Sequence, residues 1–233
     1  IANRAIVSGL PNVDGRRRIR LNSRPASRRA SQSVVRISAT MTTGKHALVA
    51  FGANLNFGEM SPKSTILAAI AELDRVGLPV TRLSTLYQTP CFPAGAGPDY
   101  VNAAAVVTLR HICTAVDILA CLHTVEAKFG RERVQRWGMR SLDIDLLALG
   151  ESVLPDKATY LHWQSLPPED QRRLAPDQLI LPHPRLAERA FVLVPLADVA
   201  ADWRHPVTGL TVTEMLAALP AASRAEVVPM ALD

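Results

Sequence analysis

A chain of 233 residues with a net charge of +5 can form one domain with a substantial core or two small ones. The charge is uneven, because residues 1–45 carry ten Lys and Arg against one acid, whereas the other 188 carry 16 basic and 20 acidic residues. This mildly acidic body argues against a nucleic-acid partner, and no apolar run is long enough for a membrane span.

The first 44 residues are predicted to be a disordered basic extension, because they contain Arg16-Arg17-Arg18 and little periodic hydrophobicity. Three interpretations stay open: an Arg- and Ser-rich transit-like leader, a basic arm for nucleic acid, or upstream sequence before a natural start at Met41. We favour the last, since the segment lacks the amphipathic order of a transit leader and the apolar region of a secretory signal. Residues 45–233 are predicted to form a single domain.

From His46 onward the hydrophobic pattern becomes regular and predicts alternating strands and helices. Ser61 is a suitable N-cap for a helix that begins at Pro62, and Gly130 is suited to end a second helix. The predicted order is strand 46–51 ending at Gly52, helix 62–76, strand 80–87, a Pro- and Gly-rich loop 89–98, strand 100–109, helix 112–129 and strand 142–149. This βαββαβ order predicts an α+β, ferredoxin-like sandwich with helices on one face of the sheet.

The later part of the chain departs from this order. Residues 151–178 contain four prolines and a possible short helix over 169–174, and we interpret them as a surface insertion rather than a functional lid. Residues 179–184 are predicted to form a short strand and turn. The mostly apolar residues 187–199 are predicted to pack on the core, and residues 211–219 to form a short C-terminal helix.

The three cysteines, Cys91, Cys113 and Cys121, are an odd number and have no metal-binding spacing. They therefore give no indication of a disulfide framework or a zinc site. A reducing, cytoplasmic location fits this pattern best.

The chemically most informative segment is the apolar strand 142–149, which contains Asp143 and Asp145. Side chains two apart on a strand share a face, and two carboxylates on a buried face are costly unless something binds them. Mg²⁺ with phosphate oxygens is the natural occupant, and Arg136 and Arg140 just upstream are suited to hold phosphate. An exposed edge strand would be the alternative, but the nearby arginines favour phosphoryl-type transfer from a nucleotide.

Several further motifs occur in order around this segment, and together they resemble the 6-hydroxymethyl-7,8-dihydropterin pyrophosphokinase family over roughly residues 46–210. The matching pieces are Phe51-Gly52-Ala53-Asn54-Leu55, Leu83-Ser84-Thr85-Leu86-Tyr87-Gln88-Thr89-Pro90, Pro98-Asp99-Tyr100-Val101-Asn102-Ala103, Glu126 with Gly130-Arg131, the run from Arg136 to Asp145, Leu181-Pro182-His183-Pro184 and Glu188-Arg189-Ala190-Phe191-Val192-Leu193.

The resemblance implies a ferredoxin-like fold and a defined reaction. ATP would donate a pyrophosphoryl group to the hydroxymethyl oxygen of the pterin and release AMP, as a step in folate biosynthesis. The family uses two Mg²⁺ ions with ATP as co-substrate, and Asp143 and Asp145 match its metal ligands. With Arg131 and Arg140 they form the expected catalytic set. The expected partners are these small molecules alone, with no obligate protein partner.

The same match divides the remaining site residues between the two substrates. An aromatic or polar set is expected to line the pterin pocket: Thr89, Pro90, Phe92, Tyr100, Asn102, Trp137 and Phe191. A mostly basic set is expected on the nucleotide side: Glu126, Arg131, Arg133, Trp137, Arg140, His183 and Arg189. The chain departs from the family pattern at Ala53, Gln135 and Pro184.

Two other functions are compatible with parts of the sequence. The aspartate pair alone would also suit a different Mg²⁺-dependent phosphotransferase or nucleotide hydrolase on the same scaffold. A nucleic-acid-binding ferredoxin-like module with a basic arm is the third possibility, and the acidic balance of residues 46–233 argues against it.

Overall fold

The computed structural model describes residues 46–91, 95, 97–109, 114–130 and 141–231. The extension predicted over residues 1–44 lies outside these ranges, so its predicted disorder stays untested. The described residues form an antiparallel sheet with helices, which confirms the predicted α+β class. No helix within the described ranges is both long and apolar enough to cross a bilayer.

The sheet runs in the spatial order β5-β1-β4-β3-β6, and β2 also pairs with β4 beside β3. All of its pairings are antiparallel. Its strands are β1 (His46–Ala53), β2 (Val80–Leu83), β3 (Tyr87–Thr89), β4 (Tyr100–Thr108), β5 (Asp143–Leu149) and β6 (Val228–Pro229). β1 extends two residues beyond the predicted end at Phe51, so that Gly52 lies within the paired strand.

Seven α-helices are described, and the longest two were predicted from the sequence. They are α1 (Pro62–Arg75), α2 (Ala115–Lys128), α3 (Lys157–Ser165), α4 (Pro168–Arg173), α5 (Ala190–Ala200), α6 (Val212–Ala218) and α7 (Ala221–Ala225). Ser61 caps α1 as predicted, because its hydroxyl accepts the Ser64 N–H. α2 begins later than predicted, since Thr114 and Asp117 form a capping box at residue 114.

Helices cover both faces of the sheet, so the expectation that they lie on one face is wrong. On one face α1 and α2 pack on alternate strand residues such as Phe51 and Ile144. On the other face α5 and α6 pack on the intervening residues, which include Ala50 and Ala104. These small side chains face α5, and the strands are apolar on both sides, which allows a second helical layer.

The single strand predicted over 80–87 is broken at Ser84. The Ser84 N–H donates to the Ala104 carbonyl and its hydroxyl accepts the Ala104 N–H, each at 2.9 Å. Past this point the Thr85 N–H and the Tyr87 hydroxyl both donate to Asp198 of α5, at 3.0 and 2.9 Å. The break therefore joins the edge of the sheet to α5.

The segment over residues 151–178 contains α3 and α4. The helix predicted over 169–174 is α4, whereas α3 was not predicted. The strand predicted over 179–184 is wrong, because only Leu181 pairs there, in an isolated bridge with Leu154. Pro182 and Pro184 have no N–H to extend such a pairing.

α3 is fixed to the rest of the domain by Tyr160, which is almost completely buried. Its hydroxyl lies 2.9 Å from Nε2 of the equally buried His205. His205 Nδ1 accepts the Val207 N–H at 3.2 Å, so the neutral ring carries its proton on Nε2 and donates it to Tyr160. This contact anchors the first helix of the segment, while the interpretation of residues 151–178 as a surface insertion stays a prediction.

Because burial lowers the pKa of His205, the folded chain is expected to lose stability in mild acid. The unfolded histidine has a pKa near 6.5, so below that pH the unfolded state binds more protons and the free energy of unfolding falls. The expected slope from this residue is at most about 1.4 kcal/mol per pH unit. Urea unfolding between pH 7.5 and 5.5 measures it, and His205→Asn should flatten the dependence; an unchanged slope would contradict the assignment.

Candidate active site

A row of three residues crosses the sheet on the face that carries α5. Gly52 of β1 pairs with Asp143 of β5 on one side and with Asn102 of β4 on the other. Residues paired across neighbouring strands share a face, and two strand spacings put Asp143 and Asn102 about 10 Å apart. The predicted metal ligand and the predicted pterin ligand thus lie on one surface, separated by a residue without a side chain.

Asp145 lies on the same face, in the next row, where it pairs with Ala50. The side chain of Asp145 is 12% exposed, and Asp143 is buried. Between them Ile144 faces the opposite core, as the period of two predicts. The structure therefore confirms the prediction that the two carboxylates occur on one side of a buried strand.

Arg189 is a basic residue beside Asp145 of this carboxylate pair. Its Nη1 lies 3.9 Å from Oδ2 of Asp145, and the side chain is only 5% exposed. Burial lowers the pKa of Arg189 to about 10 while Asp145 acts in the opposite direction, so the guanidinium is charged at neutral pH. Although burial acts to raise it, the pKa of Asp145 lies below its ordinary value, because nearby positive charge that includes Arg189 stabilises the carboxylate. The first turn of α5 thus places a fixed positive charge beside the acidic strand.

His183 presents a buried hydrogen-bond donor close to Arg189 and Asp145. Burial lowers the pKa of His183 to about 3, and the Arg189 charge acts in the same direction, so the ring is neutral. Nδ1 accepts the Arg185 N–H at 3.1 Å, which leaves the proton on Nε2. Nε2 is buried and has no hydrogen-bond partner among the described residues. A buried donor of this kind favours an acceptor such as a phosphate oxygen.

Among the residues predicted to bind the pterin, Asn102 and Thr89 are buried and hydrogen-bonded to each other. Asn102 Nδ2 donates to Thr89 Oγ1 at 2.8 Å, so its amide is held in one orientation. Tyr100 pairs with Thr89 in the ladder between β3 and β4 and is half-buried. The exposed Pro90 follows directly after β3. These four predicted residues therefore cluster at one end of β3 and β4.

Two residues that were not predicted as site residues, Asn54 and Gln88, contact the residues just before β4. The Asn54 side chain is 2% exposed and donates to the Pro98 carbonyl at 3.2 Å. Gln88 Nε2 donates to Asp99 at 2.9 Å. Asn54, Gln88 and their partners Pro98 and Asp99 all lie in motifs quoted above for the family resemblance. Their place in those motifs was the only sign of a role, since their residue types alone suggested none.

Phe191 lies in the first turn of α5, half-buried against Tyr87 and Val227. The Arg189 guanidinium carbon is 5.7 Å from the centre of its ring, which is within the range of a cation–π contact. Phe191 therefore lies between the basic residue near Asp145 and the strand that carries Thr89. Its predicted place in the lining of the pterin pocket, together with Tyr100, stays a prediction.

Glu126 of α2 was predicted on the nucleotide side, and the structure places its carboxylate against the backbone of β5. Glu126 is 1% exposed, and its Oε1 accepts the Ile144 N–H at 2.8 Å. The remaining predicted site residues are outside the described ranges, so their roles stay predictions: Phe92, Arg131, Arg133, Trp137 and Arg140.

Within the described ranges, no group of three or more His, Cys, Asp or Glu side chains is arranged to hold a metal ion. Two carboxylates on one face are nevertheless a common donor set for Mg²⁺, which keeps water and substrate phosphates as its other ligands. The geometry thus favours a cation that binds together with a phosphate-bearing substrate.

A model of the family described as 7,8-dihydro-6-hydroxymethylpterin-pyrophosphokinase (HPPK) matches residues 48–201, which is more than half of the chain. The chain belongs to the HPPK family. The resemblance inferred from the sequence is thereby confirmed. Members transfer a pyrophosphoryl group from the co-substrate ATP to hydroxymethyldihydropterin in folate synthesis, and the predicted class of ATP-dependent pyrophosphokinase is confirmed with it.

Individual relatives agree with the family match. The pyrophosphokinase of Pseudomonas aeruginosa is 38% identical over 176 residues, which are 74% of this chain and 90% of that protein. That of Synechocystis sp. is 35% identical over 171 residues, 73% of this chain and 74% of that protein. A solved HPPK-DHPS chain in complex with substrates superposes with a TM-score of 0.51 at 14% identity. The match covers 76% of this chain and 43% of the solved one, and supports the fold alone.

Proposed function

We propose that this chain transfers pyrophosphate from ATP to the hydroxymethyl group of 6-hydroxymethyl-7,8-dihydropterin on the sheet face formed by β1, β4 and β5. The row from Asp143 through Gly52 to Asn102 is the observation that carries the proposal. It provides a carboxylate for the metal-bound phosphate and an amide for the ring edge, with open strand backbone between them. A donor and an acceptor substrate can therefore meet above Gly52.

Asp143 and Asp145 are the residues proposed to hold Mg²⁺, as two ions in the manner that the family resemblance implies. Their fit rests on two observations: both carboxylates share one face of β5, and both are largely buried. Hard oxygen donors in such a place match the ligand preference of Mg²⁺. When bound, the metal supplies neutralisation of phosphate charge and a fixed orientation of the oxygens.

Arg189 and His183 are proposed to bind phosphate oxygens of ATP. Arg189 offers a charged, directional donor, and His183 offers the N–H on Nε2 described above. The predicted residues Arg131, Arg133, Trp137 and Arg140 are proposed to complete the nucleotide side, with Arg131 and Arg140 catalytic. Because phosphoryl transfer has a loose transition state, these groups act by positioning and charge stabilisation, and no protein base is required.

The pterin ring is proposed to lie against Asn102, with its flat faces covered by Tyr100 and Phe191. Asn102 can present both a donor and an acceptor to the ring edge, and Thr89 holds its amide in place. Aromatic faces suit a flat heterocycle. Pro90, Phe92 and Trp137 are proposed as further walls of this pocket.

We also infer that the finer architecture is the ferredoxin-like βαββαβ sandwich, with a single domain over residues 45–233 and 151–178 as an insertion. The sheet order supports this, since β2 and β3 together take the place of one strand beside β4. ATP and the reduced pterin are the proposed partners. A cytoplasmic location is proposed from the cysteine pattern.

Product analysis tests the function directly. Purified protein is incubated with Mg²⁺, ATP and 6-hydroxymethyl-7,8-dihydropterin, and the nucleotide products are separated. AMP that forms only when the pterin is present is the expected result. ADP, or nucleotide turnover without the pterin, would overturn the proposal in favour of another Mg²⁺-dependent phosphotransferase or hydrolase. Salt-sensitive RNA binding that requires residues 1–40 would instead favour the nucleic-acid module.

Substitution of either aromatic residue is expected to weaken binding of the pterin much more than binding of ATP. Tyr100→Ala and Phe191→Ala should each weaken pterin binding about ten-fold, because one ring–ring contact is worth roughly 0.5–1.5 kcal/mol beyond its buried area. ATP binding should change by less than about three-fold. Fluorescence titration of each ligand measures both affinities. An equal loss for ATP and pterin would indicate that the rings serve packing only.

A further inference from the structure

The strand that carries the aspartate pair is the outermost strand of the sheet. β5 has β1 on one side and no further strand beyond it in the described order. The N–H and carbonyl groups on the outer side of such a strand need partners other than a neighbouring strand. The hydrogen-bond partners of these outer groups therefore determine how rigidly β5 is held.

Glu126 supplies one of these partners. Its Oε1 lies 2.8 Å from the Ile144 nitrogen, in a buried hydrogen bond between α2 and β5. This N–H belongs to the peptide group that joins Asp143 to Ile144, so the bond fixes the backbone between the two aspartates. A charged acceptor makes a backbone hydrogen bond shorter and stronger than a neutral one does.

A second bond holds the same outer side further along the strand. The His183 N–H donates to the Leu147 carbonyl at 2.8 Å. The two bonds lie on either side of Asp145, one from α2 and one from the segment before α5. The outer side of β5 is therefore attached at two points, one directly after Asp143 and the other beyond Asp145.

We propose that Glu126 is a positioning residue that sets the orientation of Asp143 and Asp145 through the Ile144 amide. This inference rests on the proposed function, because it assigns to Glu126 an effect on the proposed Mg²⁺ ligands. Glu126 influences the nucleotide through β5, by fixing the backbone from the side opposite to the substrates. Ile144 faces the α1–α2 core while its neighbours face the site, which is why a residue of α2 can act in this way.

Three substitutions of Glu126 distinguish an effect through the Ile144 amide from a direct contact between Glu126 and the nucleotide. Glu126→Gln retains an oxygen that can accept the Ile144 N–H, whereas Glu126→Leu fills the space without an acceptor and Glu126→Ala leaves it empty. Glu72→Ala is the matched control, because Glu72 is a largely buried glutamate of α1 whose partners are Arg75 and Lys128. The chain is otherwise intact in every variant.

One measurement reports the hydrogen bond to the Ile144 amide, and another reports its effect on metal binding. Hydrogen exchange of the Ile144 amide, followed by NMR, reports the bond itself. The metal requirement is then measured as the Mg²⁺ concentration for half-maximal AMP formation, and as the affinity for Mn²⁺ with a non-hydrolysable ATP analogue. Affinity for the analogue without metal serves as the reference for direct nucleotide contact.

Glu126→Leu and Glu126→Ala are expected to speed Ile144 exchange and to raise the metal requirement at least ten-fold. Glu126→Gln should stay within about three-fold of the wild type, and Glu72→Ala should change neither readout. An unchanged metal requirement in the folded Leu or Ala variant would overturn the proposal. So would a Gln variant as impaired as Leu, or an equal loss of metal-free nucleotide binding. If the wild type forms no AMP, the proposed function fails, and the exchange and Mn²⁺ readouts still decide the role of Glu126.

Discussion

Replacement of Asp143 or Asp145 by alanine is expected to lower the rate of AMP formation by about 1,000-fold or more while the fold stays intact. Each carboxylate is proposed to hold Mg²⁺ against ATP, and metal coordination supplies several kcal/mol of charge stabilisation in the transition state. A loss of about 4 kcal/mol corresponds to this fall in rate. The fold should tolerate Asp143→Ala, since removal of a buried charge also removes its desolvation cost. Asp145→Ala also removes a carboxylate from beside the buried Arg189, so this variant is expected to stay folded with a lower free energy of unfolding.

Steady-state assays at saturating Mg²⁺, together with circular dichroism, measure the two parts of this prediction. Asp156→Ala is a suitable control, because Asp156 is an exposed aspartate outside β5 whose side chain caps α3. It should cost about 1 kcal/mol of stability as a lost cap and leave turnover unchanged. Near-normal turnover in either the Asp143 or the Asp145 variant would show that the metal assignment is wrong.

Gly52→Val is expected to lower kcat/KM for the pterin about 100-fold and to leave ATP binding within a few-fold of the wild type. Gly52 has no positive φ, so the backbone does not require glycine there. A Cβ at this position would meet only Asn102 Oδ1, at the ordinary distance of 3.5 Å. Glycine in mid-strand often marks a close approach of a ligand, and displacement of a reacting group by about 1 Å can cost 100-fold in rate.

Gly52→Ala should give an intermediate loss, because one methyl group occupies less of the space above the strand than the branched valine side chain. Pterin and ATP affinities, kcat and the thermal unfolding temperature are measured for both variants. A valine variant with wild-type turnover would rule out substrate above Gly52. A variant that loses stability and both affinities together would indicate a packing role for the glycine.

The sequence predicted best those elements that are bounded by local signals. Ser61 before Pro62 and Gly130 after α2 act on their own neighbours, so the ends of these helices could be inferred. The break at Ser84 could not, because the apolar alternation continues through it. Its causes are Ala104 and Asp198, which are distant in sequence. Of the helices on the second face, α6 was predicted over 211–219, whereas residues 187–199 were expected only to pack on the core, so the helix α5 was missed.

The site shows the same division. The shared face of Asp143 and Asp145 follows from the period of a strand, and the structure agrees. The role of Glu126 on the β5 backbone does not follow from any residue type or spacing. From the sequence, a carboxylate on a helix is interpreted as a ligand or an ion-pair partner. Only the packing of α2 against β5 shows that Glu126 accepts the Ile144 N–H.

β6 completes the sheet beside the proposed pterin pocket, although its residues are translated long after the strand that it pairs with. Its residues Val228 and Pro229 pair with Gln88 and Tyr87, and the Met230 N–H donates to the Leu86 carbonyl at 2.8 Å. β1, α1 and β4 can assemble as soon as they emerge from the ribosome. The outer edge of β3 can pair only after β6, about 140 residues further along the chain, has been translated. On the ribosome, the proposed pterin-binding wall is therefore the last part of the described sheet to be closed.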